Sequence, residues 1–191
     1  MPEKPFLQRK SPRLRGYDYS QEGAYFVTIC TAGRTHLFGK IVDGVTVLNT
    51  LGQIAESGWA EIPTHFPQVE LDLYVIMPNH VHGIVFIVDA PGDTKMMRTV
   101  GTRHASSLRQ PLPKQWRPNG VKSGSLGAIV GSYKSATTKR IKRLGDTSET
   151  LVWQGRYYDH IIRNEQSLNK IREYILYNPA RWPEDTLYSA S

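Results

Sequence analysis

Two strand-like runs joined by only two residues constrain the fold of this chain more than any other feature. Val69 to Met77 and His80 to Val88 are rich in β-branched, aliphatic and aromatic residues, and Pro78-Asn79 alone separates them. Such runs favour a pleated surface, and a two-residue link leaves an antiparallel hairpin as the way to pair them. Alternation along the second run then puts His80, His82, Ile84 and Phe86 on one face and Val81, Val85 and Ile87 on the other. The hairpin therefore carries two histidines side by side on one face of a sheet.

The remaining elements follow from periodicity and punctuation. Tyr25 to Thr31 reads as a strand, and Gly44 to Leu48 as a shorter one after a turn at Asp43-Gly44. Asn49 or Thr50 caps a helix with Leu51, Ile54, Ala55, Trp59 and Ile62 inside, ended by Pro63. A second helix runs from Leu126 to Leu144 with Ile129, Val130, Tyr133, Ala136, Thr137 and Ile141 as its inner stripe. Leu151-Val152-Trp153 and Tyr157 to Ile162 read as extended, and a last helix runs from Glu165 to Tyr177, capped by Asn164 and closed by Pro179. Strand, helix, strand, strand, helix, strand, helix is the order of an α+β, ferredoxin-like sandwich. It has an antiparallel central sheet with helices on one face, plus a C-terminal helix carrying Tyr174. Residues 1–22 read as a basic arm, 23–182 as one domain, and 183–191 as a tail. Within the domain, residues 89–124 carry Pro and Gly breaks and little periodicity, the pattern of a flexible insertion.

Neutral imidazoles bind divalent metals well, and strand spacing of two presents both without distorting the backbone. Near the C-terminus, Tyr174 and Asn178 lie one helical turn apart. The amide oxygen of Asn178 offers a third ligand beside His80 and His82, and a phenol next to such an ion can attack a phosphodiester. The competing structural reading makes Tyr174 the edge of the packing stripe Leu168, Ile171, Ile175. A formal charge of +7, from 24 Lys and Arg against 17 Asp and Glu, suits a polyanionic partner. Arg34, Lys134 and Arg163 are candidate phosphate contacts, and Trp153-Gln154-Gly155-Arg156-Tyr157-Tyr158 mixes stacking rings with the donor Arg156. The single cysteine, Cys30, cannot form an internal disulfide and reads as a buried, inert thiol. No apolar stretch is long enough to span a bilayer, and the N-terminus lacks a signal-peptide core, so the expectation is a cytoplasmic protein.

Three segments then take on a common meaning. Met77-Pro78-Asn79-His80-Val81-His82, Trp153 through Asn164, and Arg172-Glu173-Tyr174-Ile175-Leu176-Tyr177-Asn178-Pro179 closely resemble the single-tyrosine HUH transposases. The branch they resemble is that of the REP-associated tyrosine transposases, domesticated relatives of small insertion-sequence enzymes. Arg15-Gly16-Tyr17-Asp18-Tyr19 and Gly23 to Thr28 resemble that branch too. The resemblance implies Mg²⁺ or Mn²⁺ held by His80 and His82, Tyr174 as nucleophile, and Asn178 at the polar position one turn later. It implies cleavage of single-stranded DNA at hairpins formed by palindromic repeats, through a 5′-phosphotyrosine link that a 3′-OH reverses. His160 and Arg163 fall in a recurring motif and are assigned a DNA-contacting or structural role. Relatives work as monomers or homodimers, and nothing in this sequence decides between them. Three departures from this reading stay open: Tyr177 as a second nucleophile, a metal-dependent hydrolase using activated water, and a protein that binds DNA or RNA hairpins without cutting them.

Overall fold

The computed structural model of the chain describes residues 14, 16–88, 122–145 and 151–188. The expected insertion lies outside the described residues from 89 to 121, as does the basic arm up to residue 13. Among the described residues there are six strands and four helices: β1 Gly23–Cys30, β2 Gly39–Val42, β3 Val45–Leu48, α1 Thr50–Ala60, α2 Ile62–His65, β4 Val69–Met77, β5 His80–Ile87, α3 Leu126–Lys142, β6 Tyr158–Ile162 and α4 Glu165–Tyr177. Two caps form where the sequence put them, and Ser125 adds a third. The side chains of Asn49, Ser125 and Asn164 accept from Gly52, Ala128 and Ser167 at the starts of α1, α3 and α4. The helix ahead of Pro63 stops at Ala60, and Pro63 instead sits in the first turn of the short α2.

The main sheet has strand order β4-β5-β1-β6, every neighbour antiparallel. With β2 and β3 set aside, that is the order of the ferredoxin-like sandwich expected from the sequence. β2 and β3 form a separate ribbon, turned through Asp43 and Gly44, which both take left-handed backbone angles (φ 49° and 73°). That pair of angles is the twisted two-residue turn for which Asp-Gly is suited.

The sheet divides its residues by parity. Tyr25, Val27, Ile29, Val81 and Val85 face α1 and α3, where Trp59, Ile129, Val130, Tyr133 and Ile141 complete the larger core. At Gly83 the indole of Trp59 lies against the strand so closely that a Cβ there would meet it at 2.2 Å. Glycine is therefore required by contact rather than by backbone angle. The opposite parity, with Phe26, Ile84 and Ile162, packs on Ile171 and Ile175 of α4. Each such side chain contributes roughly 1.5–3 kcal/mol by burial. Arg172 of α4 adds a two-pronged ion pair to Asp72 (2.7 and 2.8 Å), at the place where the β4–β5 register shifts. α4 thus occupies the face of the sheet that carries the two histidines. No helix among the described residues is long and apolar enough to cross a membrane.

Candidate active site

His80 and His82 sit at the start of β5, fully buried, with ring centroids 4.3 Å apart. The Pro78-Asn79 turn does more than reverse the chain. Asn79 Nδ2 donates to the carbonyls of Leu187 (2.8 Å) and Arg34 (3.3 Å), which turns its Oδ1 toward His80 Nδ1 at 2.7 Å. An amide oxygen can only accept, so Nδ1 of His80 carries the hydrogen and Nε2 carries the lone pair. That Nε2 is buried and makes no hydrogen bond. His82 is held likewise from behind, its Nδ1 2.8 Å from Thr28 Oγ1 on β1. Such partners fix ring orientation and tautomer in metal-binding histidines.

Burial keeps both rings neutral. It pushes His80 well below the ordinary imidazole value, helped by the repulsion that a second proton on the His82 side, and the Arg34 guanidinium, would exert. It takes His82 down to about 4, opposed by the carboxylate of Asp185. Both lone pairs are therefore available at neutral pH.

α4 brings Tyr174 and Asn178 to the same place. Tyr174 Oη is 3.2 Å from His82 Nε2 and 3.4 Å from Asp185 Oδ2. Its ring meets Phe26 edge-on and lies 5.1 Å from the His82 ring. Burial first, and then the Asp185 carboxylate, raises its phenol above the ordinary tyrosine range. Asn178 caps the end of α4, is buried, and donates Nδ2 to Asp185 Oδ2 at 2.6 Å. Its Oδ1, buried and without a partner, is left for another ligand.

Asp185 is the residue that sequence reasoning missed. Residues 183–188 of the expected tail fold back over the site after a short 3₁₀ turn at Trp182–Glu184. Trp182 lies 5.8 Å from the His80 ring, and the amide N–H of Leu187 holds the second carboxylate oxygen of Asp185 at 2.7 Å. Ligand atoms of His80, His82 and Asp185 all lie within 4.8 Å of one another. This group can hold a metal ion: two neutral imidazoles, one carboxylate, and the unpartnered Asn178 oxygen beside them form a mixed nitrogen and oxygen set. The only sequence signal for Asp185 was the Trp-Pro pair at 182–183, which turns the chain without saying where it goes.

The other sequence candidates separate in space. Arg34 is exposed, takes a left-handed angle (φ 57°), and lies close enough to His80 and Cys30 to act on both. Cys30 pairs with His80 across β1 and β5, and burial raises its thiol. Lys134 is taken up within the protein, donating to the carbonyls of Gln154 (2.6 Å) and Gly155 (3.3 Å). Arg156 is exposed in the segment before β6. His160 and Arg163 line a second cleft with Leu14 and Tyr19, and His160 pairs with Phe26 in the middle of β1. Tyr177 shares the small cavity of Tyr174 but is half exposed beneath the guanidinium of Arg181. Tyr133 packs in the core and donates to the carbonyl of Ala55.

No protein-family model matches the chain. An uncharacterized protein of Haemophilus influenzae is 38% identical over 180 residues, spanning 94% of this chain and 93% of that protein. A second Haemophilus influenzae protein, described as a candidate REP-associated tyrosine transposase, is 23% identical over 164 residues, 86% of this chain and 74% of its own. Among solved structures, a REP-associated tyrosine transposase bound to a REP hairpin is similar with a TM-score of 0.55 and 18% identity, over 88% of this chain and 73% of that one. The chain belongs to one family with the 38%-identical Haemophilus influenzae protein, and it is similar in sequence to a protein described as a REP-associated tyrosine transposase and in fold to a solved one.

Proposed function

We propose that this chain cuts and rejoins single-stranded DNA at hairpin-forming palindromic repeats, with Tyr174 as nucleophile and Mg²⁺ or Mn²⁺ as cofactor. The observation that carries this reading is the position of Tyr174 Oη, 3.2 Å from His82 Nε2 and 3.4 Å from Asp185, at the edge of the His-His-Asp group. A hydrolase that activates water has no need of a tyrosine hydroxyl there, and a protein that only grips hairpins needs none of the four residues.

His80, His82 and Asp185 would hold the cation, with Asn178 Oδ1 as a further ligand. Bound there, it supplies positive charge to the non-bridging oxygens of the scissile phosphate. The protein supplies the rest. Tyr174 Oη forms a bond to phosphorus while the bond to the 3′ oxygen breaks, and the phenolic proton passes by way of the Asp185 carboxylate to that departing oxygen, which leaves as a hydroxyl. The product is a 5′-phosphotyrosine, and a 3′-OH reverses it with no external energy source. α4 holds the tyrosine against Phe26 and the sheet, so attack needs little reorganisation.

The test is incubation of the protein with Mn²⁺ or Mg²⁺ and labelled hairpins taken from repeats flanking its own gene, followed by a denaturing gel. The expected result is a DNA-protein adduct absent in Tyr174→Phe and lost with EDTA. Cleavage without adduct would favour the water-activating hydrolase instead, and binding without cleavage the hairpin-binding protein.

A further inference from the structure

On the α1 and α3 side of the sheet, a groove of about 770 Å³ runs between the C-terminal half of α3 and residues 151–155, within the size range of sites that enclose organic ligands, roughly 300–1,000 Å³. One wall is cationic: Lys139, Lys142 and Arg143 are exposed and line it. Arg140, on the same helix, is paired with Glu61; Lys139, Lys142 and Arg143 have no acidic partner among the described residues. Cations at a helix C-terminus complement its dipole, but that accounts for neither their number nor the surface opposite them. The facing wall is Leu151, which is 73% exposed, then Trp153, whose buried indole N–H has no hydrogen-bond partner, and Gly155, which has open space where a side chain would be. An apolar surface opposite a row of exposed cations matches unpaired nucleotides, with bases to one side and phosphates to the other.

The groove is tied to the candidate active site by short, rigid links. Lys134 fixes the 154–155 wall through its two carbonyl contacts. Gln154 donates to the carbonyl of Cys30, and Thr31, paired with Trp153, hydrogen-bonds the Asn79 carbonyl from both its N–H (2.9 Å) and its hydroxyl (3.0 Å). Asn79 is the residue that orients His80. A DNA strand in this groove is thus registered, through a few residues of backbone, to the histidine pair.

We infer that this groove binds the single-stranded DNA flanking the hairpin, with Lys139, Lys142 and Arg143 on its phosphates. The inference rests on the proposed DNA strand cleavage and adds where the unpaired flank lies. Lys134, a candidate phosphate contact by sequence, instead builds the wall.

Fluorescence anisotropy tests it, with the full chain and two probes: a blunt hairpin, and the same hairpin carrying an unpaired extension on each side. The variant Lys139→Gln, Lys142→Gln, Arg143→Gln changes exposed side chains, and an unchanged melting curve verifies its fold. The expected result is a loss of about tenfold or more for the extended probe alone, and a salt slope shallower by about 2, as three lost single-strand phosphate contacts require. Equal losses for both probes mean a diffuse basic field and overturn the groove; no loss for either overturns it too. Tyr174 adduct formation by wild type is measured in parallel and reports on the cleavage reading separately. If adducts form while the groove variant binds normally, only the groove fails; if the variant shows the expected selective loss and no adduct ever forms, only cleavage fails.

Discussion

The side-chain amide of Asn178 donates to the carboxylate of Asp185 at 2.6 Å. A carboxylate only accepts, so the hydrogen bond fixes which way the amide points. It leaves Asn178 Oδ1 buried and without a partner, near the unpartnered Nε2 of His80. Two orphaned lone pairs in one buried place are costly unless a ligand satisfies them.

Asp185→Asn keeps the shape and removes the charge. Metal affinity is expected to fall about 10–100-fold or more, as it does when a metal ligand or its partner is lost. The Mn²⁺ concentration needed for half-maximal adduct formation measures this, and isothermal titration without DNA checks it. Unchanged affinity in both would remove Asp185 from the metal group.

Asn79→Ala acts one layer further out. It removes the acceptor that places the hydrogen of His80 on Nδ1, and it strips the carbonyls of Arg34 and Leu187 of a donor. Metal affinity is expected to drop about 10-fold, and stability by about 1–3 kcal/mol from the broken buried hydrogen bonds. A variant with the stability loss but full metal affinity would show that the turn fixes the fold and not the ring.

Most of the fold was legible because parity and period are local properties. The His80–Phe86 alternation, the inner stripe of α3 and the Asn164 cap all depend on residues within a turn or two of each other. So does the pairing of Tyr174 with Asn178. What the sequence could not supply is return contact. Nothing near Asp185 marks it as facing His82 from the end of a fold-back, and nothing near Lys134 shows that its ammonium goes to the carbonyls of Gln154 and Gly155. β2 was missed because Gly39–Val42 is too short for alternation to stand out, although its turn at Asp43-Gly44 was visible.

Gly83→Ala tests the packing of the opposite face. The added methyl meets Trp59 at 2.2 Å, and both residues are fully enclosed, so neither moves freely. A loss of about 1–3 kcal/mol or more is expected from overpacking. The double variant with Trp59→Phe, which vacates part of that volume, should lose less than the sum of the single changes. Strict additivity in urea denaturation would mean that the two side chains do not compete for space.

The buried histidines set the acid limit of the metal-free protein. In the folded state His82 stays neutral down to about 4 and His80 is also depressed, whereas in the unfolded chain both take up a proton near 6.5. The unfolded state therefore binds more protons between these values, and stability falls as pH drops through that window. It is fully present above about 6.5. For His82 alone, a folded value of about 4 corresponds to a loss on the order of 2 kcal/mol at pH 5. Urea midpoints in EDTA should be lower at pH 5 than at pH 7.5, and His82→Gln should shrink the difference. A midpoint that does not move with pH would show that the imidazoles are solvated and protonate freely in the folded protein, in which case they are not held ready for a cation.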